Sequence, residues 1–196
     1  MTFRRTTCPH CRIKLDTPHQ RIHQACIPGY ADAQEAKAMR TAEKQIRAAA
    51  KVERADTKRR KEAIKSLPEL KKEAERAFNT FIRARDALLP CISCNASPPD
   101  LSGLHAGRDA GHYRSVGSAA HLRYHEDNVH AQCVKCNQWD AGRVVDYRIG
   151  LVRRIGTDRV VALETNNTPH KWTKDELRAI KADYTARANE LKKAMT

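Results

Sequence analysis

Aromatic residues are scarce in this 196-residue chain, at 5% of positions, although 40% are hydrophobic and many of those are alanine. With few large side chains to bury, one extensive core is not expected, and small modules held together by other means are. No apolar run approaches the roughly 18 residues of a membrane-spanning helix. The opening Met1-Thr2-Phe3-Arg4-Arg5 is not followed by the apolar segment of a secretion signal. Acidic residues are the minority, 23 against 37 Lys+Arg, which gives a formal net charge of +14. That excess suits a polyanion, with nucleic acid ahead of an anionic membrane surface.

Cysteine is plentiful by contrast, with seven in all. Cys91-x-x-Cys94 and Cys133-x-x-Cys136 make a complete four-thiolate set, and Cys8-x-x-Cys11 with Cys26 makes a partial one. His23 is the natural fourth ligand of the second set, with His10 and His19 as competitors. Zn²⁺ takes four tetrahedral S or N ligands, and a C-x-x-C turn supplies two thiolates from one knuckle. Two structural zinc ions are therefore expected. Paired C-x-x-C motifs without a secretion signal favour reduced, metal-bound cysteine, and hence a cytoplasmic location.

Four segments are expected. Residues 1–30 read as a Cys/His zinc module with turn signals at Cys8-Pro9, Thr17-Pro18 and Pro28-Gly29. Residues 31–89 read as long charged helices for DNA binding or dimerisation. The stretch 31–65 has neither Gly nor Pro, and Ser66-Leu67-Pro68-Glu69 is a capping box that opens a second helix. That helix carries an apolar stripe from Leu70 through Phe78 and Ile82 to Leu88 and Leu89, and Pro90 ends it. Residues 90–142 form a compact Cys/His/Asn block. Residues 143–196 read as C-terminal helices packing on it: one with Val144, Val145, Ile149, Val152 and Ile155 at helical spacing, a short one over 158–164, and a last one opened by the capping box Thr173-Lys174-Asp175-Glu176.

Basic residues in the first long helix fall at Lys37, Arg40, Lys44, Arg47, Lys51, Arg54, Lys58, Lys61 and Lys65, in steps of three and four. This puts them on one slowly drifting face about 42 Å long. The stripe is a candidate phosphate-binding surface through Lys44, Lys51 and Lys58; its bland alternative is a solvated helix face. Met39, Ala42, Ile46 and Ala49 form a weak apolar seam suited to a second copy of the chain or to the protein's own core.

Phosphodiester hydrolysis needs a base for the attacking water and a cation for the charge on the phosphate. Gly111-His112-Tyr113 lies between the halves of the four-cysteine set, and Asp127-Asn128-Val129-His130 runs into its second knuckle. The layout fits a strand–loop–strand–helix finger. His112 ends the first strand, Asn128 starts the second, and Asn137 sits in the first turn of the helix.

At these residues the sequence resembles the His-Me finger (HNH-like) nucleases, and more closely the phage NinG/Rap recombination endonucleases. The matching stretches are Leu89-Pro90-Cys91-Ile92-Ser93-Cys94, Asp109-Ala110-Gly111-His112-Tyr113-Arg114, Asn128 to Gln138 and Arg153-Arg154-Ile155-Gly156. The resemblance implies a mainly α fold with small zinc-stabilised modules. Its catalytic core would be a treble-clef-like ββα-metal finger preceded by the long charged helices. It implies a metal-dependent endonuclease acting on branched DNA, such as Holliday junctions and D-loops, during phage recombination. Host or phage recombination proteins are then expected partners, and a homodimer supplies the paired cuts. It makes His112 the general base, puts Asn137 where many such enzymes carry a metal-binding histidine, and gives Asn128 the loop-bracing place. Mg²⁺ or Mn²⁺ is the implied catalytic ion. Many of these enzymes have an acidic ligand just before the base, where this chain has Gly111; Asp109, of the same strand parity as position 111, is the candidate substitute.

Arg108 and Arg114 flank the finger as candidate phosphate contacts. His105, His121, His125 and His130 read as surface or loop histidines, and Trp139 and Trp172 as packing residues. The alternatives are a non-catalytic zinc-containing nucleic-acid-binding protein and a general HNH-type nicking nuclease without branch preference.

Overall fold

The computed structural model describes residues 6–17, 19–97 and 107–195. Pro18 and His105 lie outside the described residues. The chain divides into two units, Met1–Ile64 and Lys65–Thr196. The boundary falls inside the 31–89 stretch, so the two charged helices belong to different units.

In the first unit a bridge between Thr7 and Lys14 closes a tight turn, and a 3₁₀ turn, Gln24–Cys26, leads into α1, Ile27–Ile64. Pro28-Gly29 does not make the expected loop. It lies in the first helical turn, where proline's missing N–H costs nothing and its φ suits the helix. The side chain of His10 lies against Gly29, where a Cβ would come within 2.8 Å of the imidazole. No residue of α1 is buried. Met39 and Ile46, the centre of the apolar seam, are exposed.

The second unit is built on α2, Leu67–Arg85, and α5, Lys174–Ala194. Both open on the capping boxes read in the sequence, at Ser66/Glu69 and Thr173/Glu176. Leu70, Ala74, Phe78, Phe81 and Ile82 of α2 pack with Leu177, Tyr184 and Ala188 of α5. Phe78 meets Tyr184 edge-on at 4.8 Å and Tyr124 at 5.9 Å. Lys181 and Lys65 close on Glu73 at 2.8 and 2.6 Å. The helix stops at Arg85, before Leu88 and Leu89, which are exposed and not part of the stripe. Asp86 is the reason: its carboxylate turns inward and accepts the Ala131 N–H at 2.9 Å.

Between these helices and a second core lies one antiparallel hairpin, β1 (Arg108–His112) and β2 (Val129–Cys133), in the register Arg108↔Cys133 to His112↔Val129. Ala110 and Val129 face the α2/α5 core. The other face meets α3, Val144–Ile155, and α4, Thr157–Thr165. Tyr147, Leu151, Val160 and Leu163 pack there with Ile92, Ala119 and Leu122. The buried face of α3 differs in part from the expected one: Val144, Val145 and Ile149 are exposed and Tyr147 and Leu151 are buried, whereas Val152 and Ile155 pack against this core as expected. The cause is the close approach at Gly150, where a Cβ would fall 1.8 Å from the Ile92 carbonyl oxygen. That contact fixes which side of α3 meets the first cysteine knuckle. No helix among the described residues is long and apolar enough to cross a membrane.

Candidate functional site

The two cysteine knuckles share one backbone design. The Cys8 N–H donates to the Ile13 carbonyl and the Arg12 N–H to the Cys8 carbonyl, at 2.8 and 2.9 Å. The Cys91 N–H donates to Ala96 and the Asn95 N–H to Cys91, at 2.9 and 3.0 Å. In each knuckle the residue after the second cysteine is left-handed, Arg12 at φ 62° and Asn95 at φ 58°. The turn aims both sulfurs to one side.

Each knuckle meets its second pair. The ligand atoms of Cys8, Cys11, His23 and Cys26 lie within 4.8 Å of one another, as do those of Cys91, Cys94, Cys133 and Cys136. Four sulfurs 2.3 Å from a tetrahedral zinc sit about 3.8 Å apart, and Cys94 Sγ to Cys133 Sγ is 3.8 Å. His23 places Nδ1 3.3 Å from Cys11 Sγ, while Nε2 lies 3.2 Å from the Lys14 carbonyl. A carbonyl only accepts, so Nε2 carries the proton and Nδ1 keeps its lone pair for a metal. Burial opposes ionisation of Cys8 and Cys91, but backbone N–H groups outweigh it, bringing Cys8 to about 6 and Cys91 to about 7. Burial and hydrogen bonds with neighbouring thiols push Cys26 up to about 11 and raise Cys136 further. The donor sets fit two structural zinc ions. His10 is outside the first set, its ring lying against Gly29.

His112 ends β1 beside the α2/α5 side of the hairpin. Its Nε2 lies 3.1 Å from the Arg123 carbonyl oxygen, so Nε2–H donates and Nδ1 is the basic nitrogen. Burial lowers its pKa, which keeps the ring neutral at pH 7. The Glu75 carboxylate of α2, which accepts from Arg123 at 3.0 Å, acts electrostatically on the same imidazole. Glu75 is a site residue that the sequence did not signal, being far from the motif in the chain. Asn128, fully buried, bonds both ways with Arg114 and donates to the Leu122 carbonyl at 3.2 Å. It ties together both ends of the loop that follows His112.

Asn137 lies in a π-helical turn, Lys135–Trp139, and its Nδ2 donates to Asp109 Oδ2 at 2.9 Å. Gln138 donates to the same oxygen at 2.7 Å. These residues come together, but away from His112: three positions apart on an alternating strand, Asp109 and His112 face opposite sides of the hairpin. Among the described residues, groups of three or more Cys, His, Asp or Glu with metal-ligand spacing occur only at the two cysteine-rich sets. The Asp109–Asn137 pair therefore does not fit one divalent-ion centre shared with His112. Gly111 offers no substitute, because a Cβ there would meet Gln132 Oε1 at 2.2 Å. Gln132 is buried and donates to Ser93 Oγ and the Gly142 carbonyl at 2.8 and 2.7 Å.

The flanking arginines are engaged inside the protein. Arg108 donates to the Leu89 and Ala96 carbonyls, and Arg114 to those of Leu163 and Asn166 and to Asn167 Oδ1. Lys44, Lys51 and Lys58 are exposed along α1, and no ion pair is seen at any of them among the described residues. His130 is buried, not a surface histidine. His121 bonds the Asn166 carbonyl at 2.8 Å, and His125 accepts the Asp127 N–H at 3.3 Å. Trp172 packs against Tyr124 at 4.9 Å, whereas Trp139 is 79% exposed and packs no core.

These features define a mainly helical protein with two cysteine-rich clusters suited to zinc, a basic helix and a partly buried histidine at the end of a strand. The chain belongs to the bacteriophage lambda NinG protein family, whose family model matches residues 2–194. It is 45% identical over 133 residues to protein ninG of Escherichia phage 933W, covering 68% of this chain and 63% of that protein. It is 44% identical to protein ninG of Escherichia phage lambda over 133 residues, 68% of this chain and 62% of that one. Against protein ninG of Salmonella phage P22 it is 44% identical, covering 68% and 63%. The matched region thus spans less than two thirds of these relatives. No solved structure matches the chain.

Proposed function

We propose that this protein is a DNA endonuclease of phage recombination that hydrolyses phosphodiester bonds in branched DNA, with His112 as its general base. The observation that carries the reading is the state of His112. Its tautomer is set by the Arg123 carbonyl at 3.1 Å, it is kept neutral by burial, and it stands at the end of a strand beside a loop braced by Asn128. A neutral imidazole with one committed N–H is suited to take a proton from water near pH 7. The formal charge of +14 and the basic face of α1 supply sequence-independent attraction to phosphate. Trp139, exposed in the same turn as Asn137, offers a ring on which a splayed base can stack. Mg²⁺ or Mn²⁺ remains what the resemblance implies, and no step is assigned to it because the donors do not assemble around His112.

That separation favours a second reading, a zinc-containing nucleic-acid-binding protein without catalysis. The deciding experiment compares initial cleavage of a four-way junction with that of its linear arms, at matched salt, with Mg²⁺ or Mn²⁺ titrated in. Faster junction cleavage supports the branch-specific reading. Equal rates leave a general nicking nuclease, and binding without cleavage leaves the non-catalytic one.

A further inference from the structure

The segment 122–124, which meets the His112 ring, is clamped to α2, outside the cysteine-framed block. Leu122 is buried in the core of α3 and α4, and Tyr124 in that of α2 and α5, where its ring meets Phe78 edge-on at 5.9 Å. The Tyr124 hydroxyl donates to the Lys71 carbonyl at 3.2 Å, and Arg123 Nη1 donates to Glu75 Oε2 at 3.0 Å. Lys71, Glu75 and Phe78 are spaced four and three apart, so these contacts share one face of α2. The carbonyl that accepts His112 Nε2–H at 3.1 Å belongs to the peptide joining Arg123 and Tyr124, the two anchored residues.

The same anchor places two opposite charges near the ring. When His112 takes a proton it becomes an imidazolium, and burial opposes that change. Among the described residues, the charged groups that act on the ring are Glu75 from α2, which favours the imidazolium, and Arg123 from the turn after Leu122, which opposes it. Glu75 is the one carboxylate paired with Arg123 among the described residues. The two side chains are 34% and 21% exposed, so solvent screens them only in part. We propose that Glu75 is a positioning residue for His112: it fixes Arg123 on α2, and its carboxylate offsets the guanidinium charge beside the ring. Its bearing on catalysis rests on the reading of His112 as the base.

The test follows the His112 ring resonances by NMR as pH is varied, in the full zinc-loaded chain without DNA, Mg²⁺ or Mn²⁺. Glu75→Gln keeps the size of the side chain and removes its charge. His112 should then titrate about half a pH unit or more below wild type, the scale of one partly screened charge. Arg123→Gln should move it the opposite way, because the backbone carbonyl stays and the guanidinium goes. The double variant should return close to wild type. Zinc content and thermal unfolding check that each variant is folded. A pair that only packs the loop would, when broken, let water reach the ring and raise its pKa toward the ordinary value of about 6.5 in every variant. Shifts of the same sign in both single variants, or none in either, overturn the proposal. The acid limb of the cleavage profile, measured separately on a four-way junction with Mg²⁺, should move with the ring from variant to variant. If the ring shifts as expected while that limb stays in place, the positioning role stands and the reading of His112 as the base falls.

Discussion

Asn128 and Arg114 are joined in both directions: Asn128 Oδ1 accepts the Arg114 N–H at 2.9 Å, and its Nδ2 donates to the Arg114 carbonyl at 3.0 Å. The pair closes the loop after His112 with one side chain that is fully buried. Asn128→Ala would strand the Arg114 N–H and remove bonds from two carbonyls at once. A loss of about 2–4 kcal/mol is expected from buried groups left unpaired, measurable by denaturant unfolding. A loss under about 0.5 kcal/mol would mean that water replaces the amide and the brace is dispensable.

Metal content is expected to be two zinc ions per chain. Because the two ligand sets lie in separate units, Cys11→Ala should release one zinc and leave the thermal unfolding of the second unit unchanged. Cys94→Ala should release the other and unfold the hairpin, since the first knuckle hydrogen-bonds to β2 through Ile92 N–H and the Ala131 carbonyl at 3.2 Å. Elemental analysis showing one zinc in the wild type would remove the N-terminal centre.

His112→Gln should lower cleavage by about 10²-fold or more while DNA affinity is kept, because no cationic phosphate contact is removed. The pH dependence carries a sign. Burial lowers the His112 pKa in the folded protein, so the native state favours the neutral ring. Its stabilising contribution is present above the unfolded value of about 6.5 and is lost as pH falls below that value toward the native pKa. Wild type should therefore lose more stability between pH 7 and pH 5.5 than His112→Gln does. Equal losses in calorimetry would show that the imidazole is not desolvated.

What was legible in the sequence was what local chemistry dictates. The C-x-x-C spacings specified the knuckles, and Ser66 and Thr173 announced α2 and α5 through their glutamates. The alanine- and lysine-rich stretch could only be helix. What was not legible depends on the fold's long-range pairings. Tyr147 is buried on α3, where the pattern pointed to Val145 and Ile149; with Gly150 set against Ile92, its hydroxyl reaches the hairpin, accepting the His130 N–H at 3.0 Å and donating to the Gly111 carbonyl at 2.7 Å. Asp86 looked like an ordinary residue near a helix end, yet it serves the outer edge of β2. Glu75 approaches His112 from 37 positions upstream, a distance no motif spans.

Strand alternation separates two roles that the motif had put together. With Asp109 on the face opposite His112 and held by Asn137 and Gln138, Asp109→Asn should loosen the 135–139 turn but cost much less cleavage than His112→Gln. Glu75→Gln, on the His112 side, should cost more than Asp109→Asn. Turnover measured across a Mg²⁺ titration decides it. If Asp109→Asn alone abolishes cleavage and high metal restores it, Asp109 is a ligand and the hairpin must rearrange on binding DNA.

The basic face of α1 provides the last test. No residue of that helix is buried, so the stripe is not there to pack. Arg47 already pairs with Glu43 at 2.5 Å, and Arg59 and Arg60 share Asp56, so those cations are partly neutralised within the helix. Lys44, Lys51 and Lys58, exposed and spaced seven apart along α1, are the candidate phosphate contacts to be tested. Replacing all three with Gln should weaken binding to every duplex alike, whatever its sequence. Each lost phosphate contact should also reduce the slope of log affinity against log salt by about 0.9. Three contacts predict a change of about 2.7, well outside the scatter of a salt titration, and helical content should be unaltered because glutamine is a comparable helix former. An unchanged slope with weaker binding would point to lost helix structure, and an unchanged slope with unchanged binding would leave the stripe as a solvated surface.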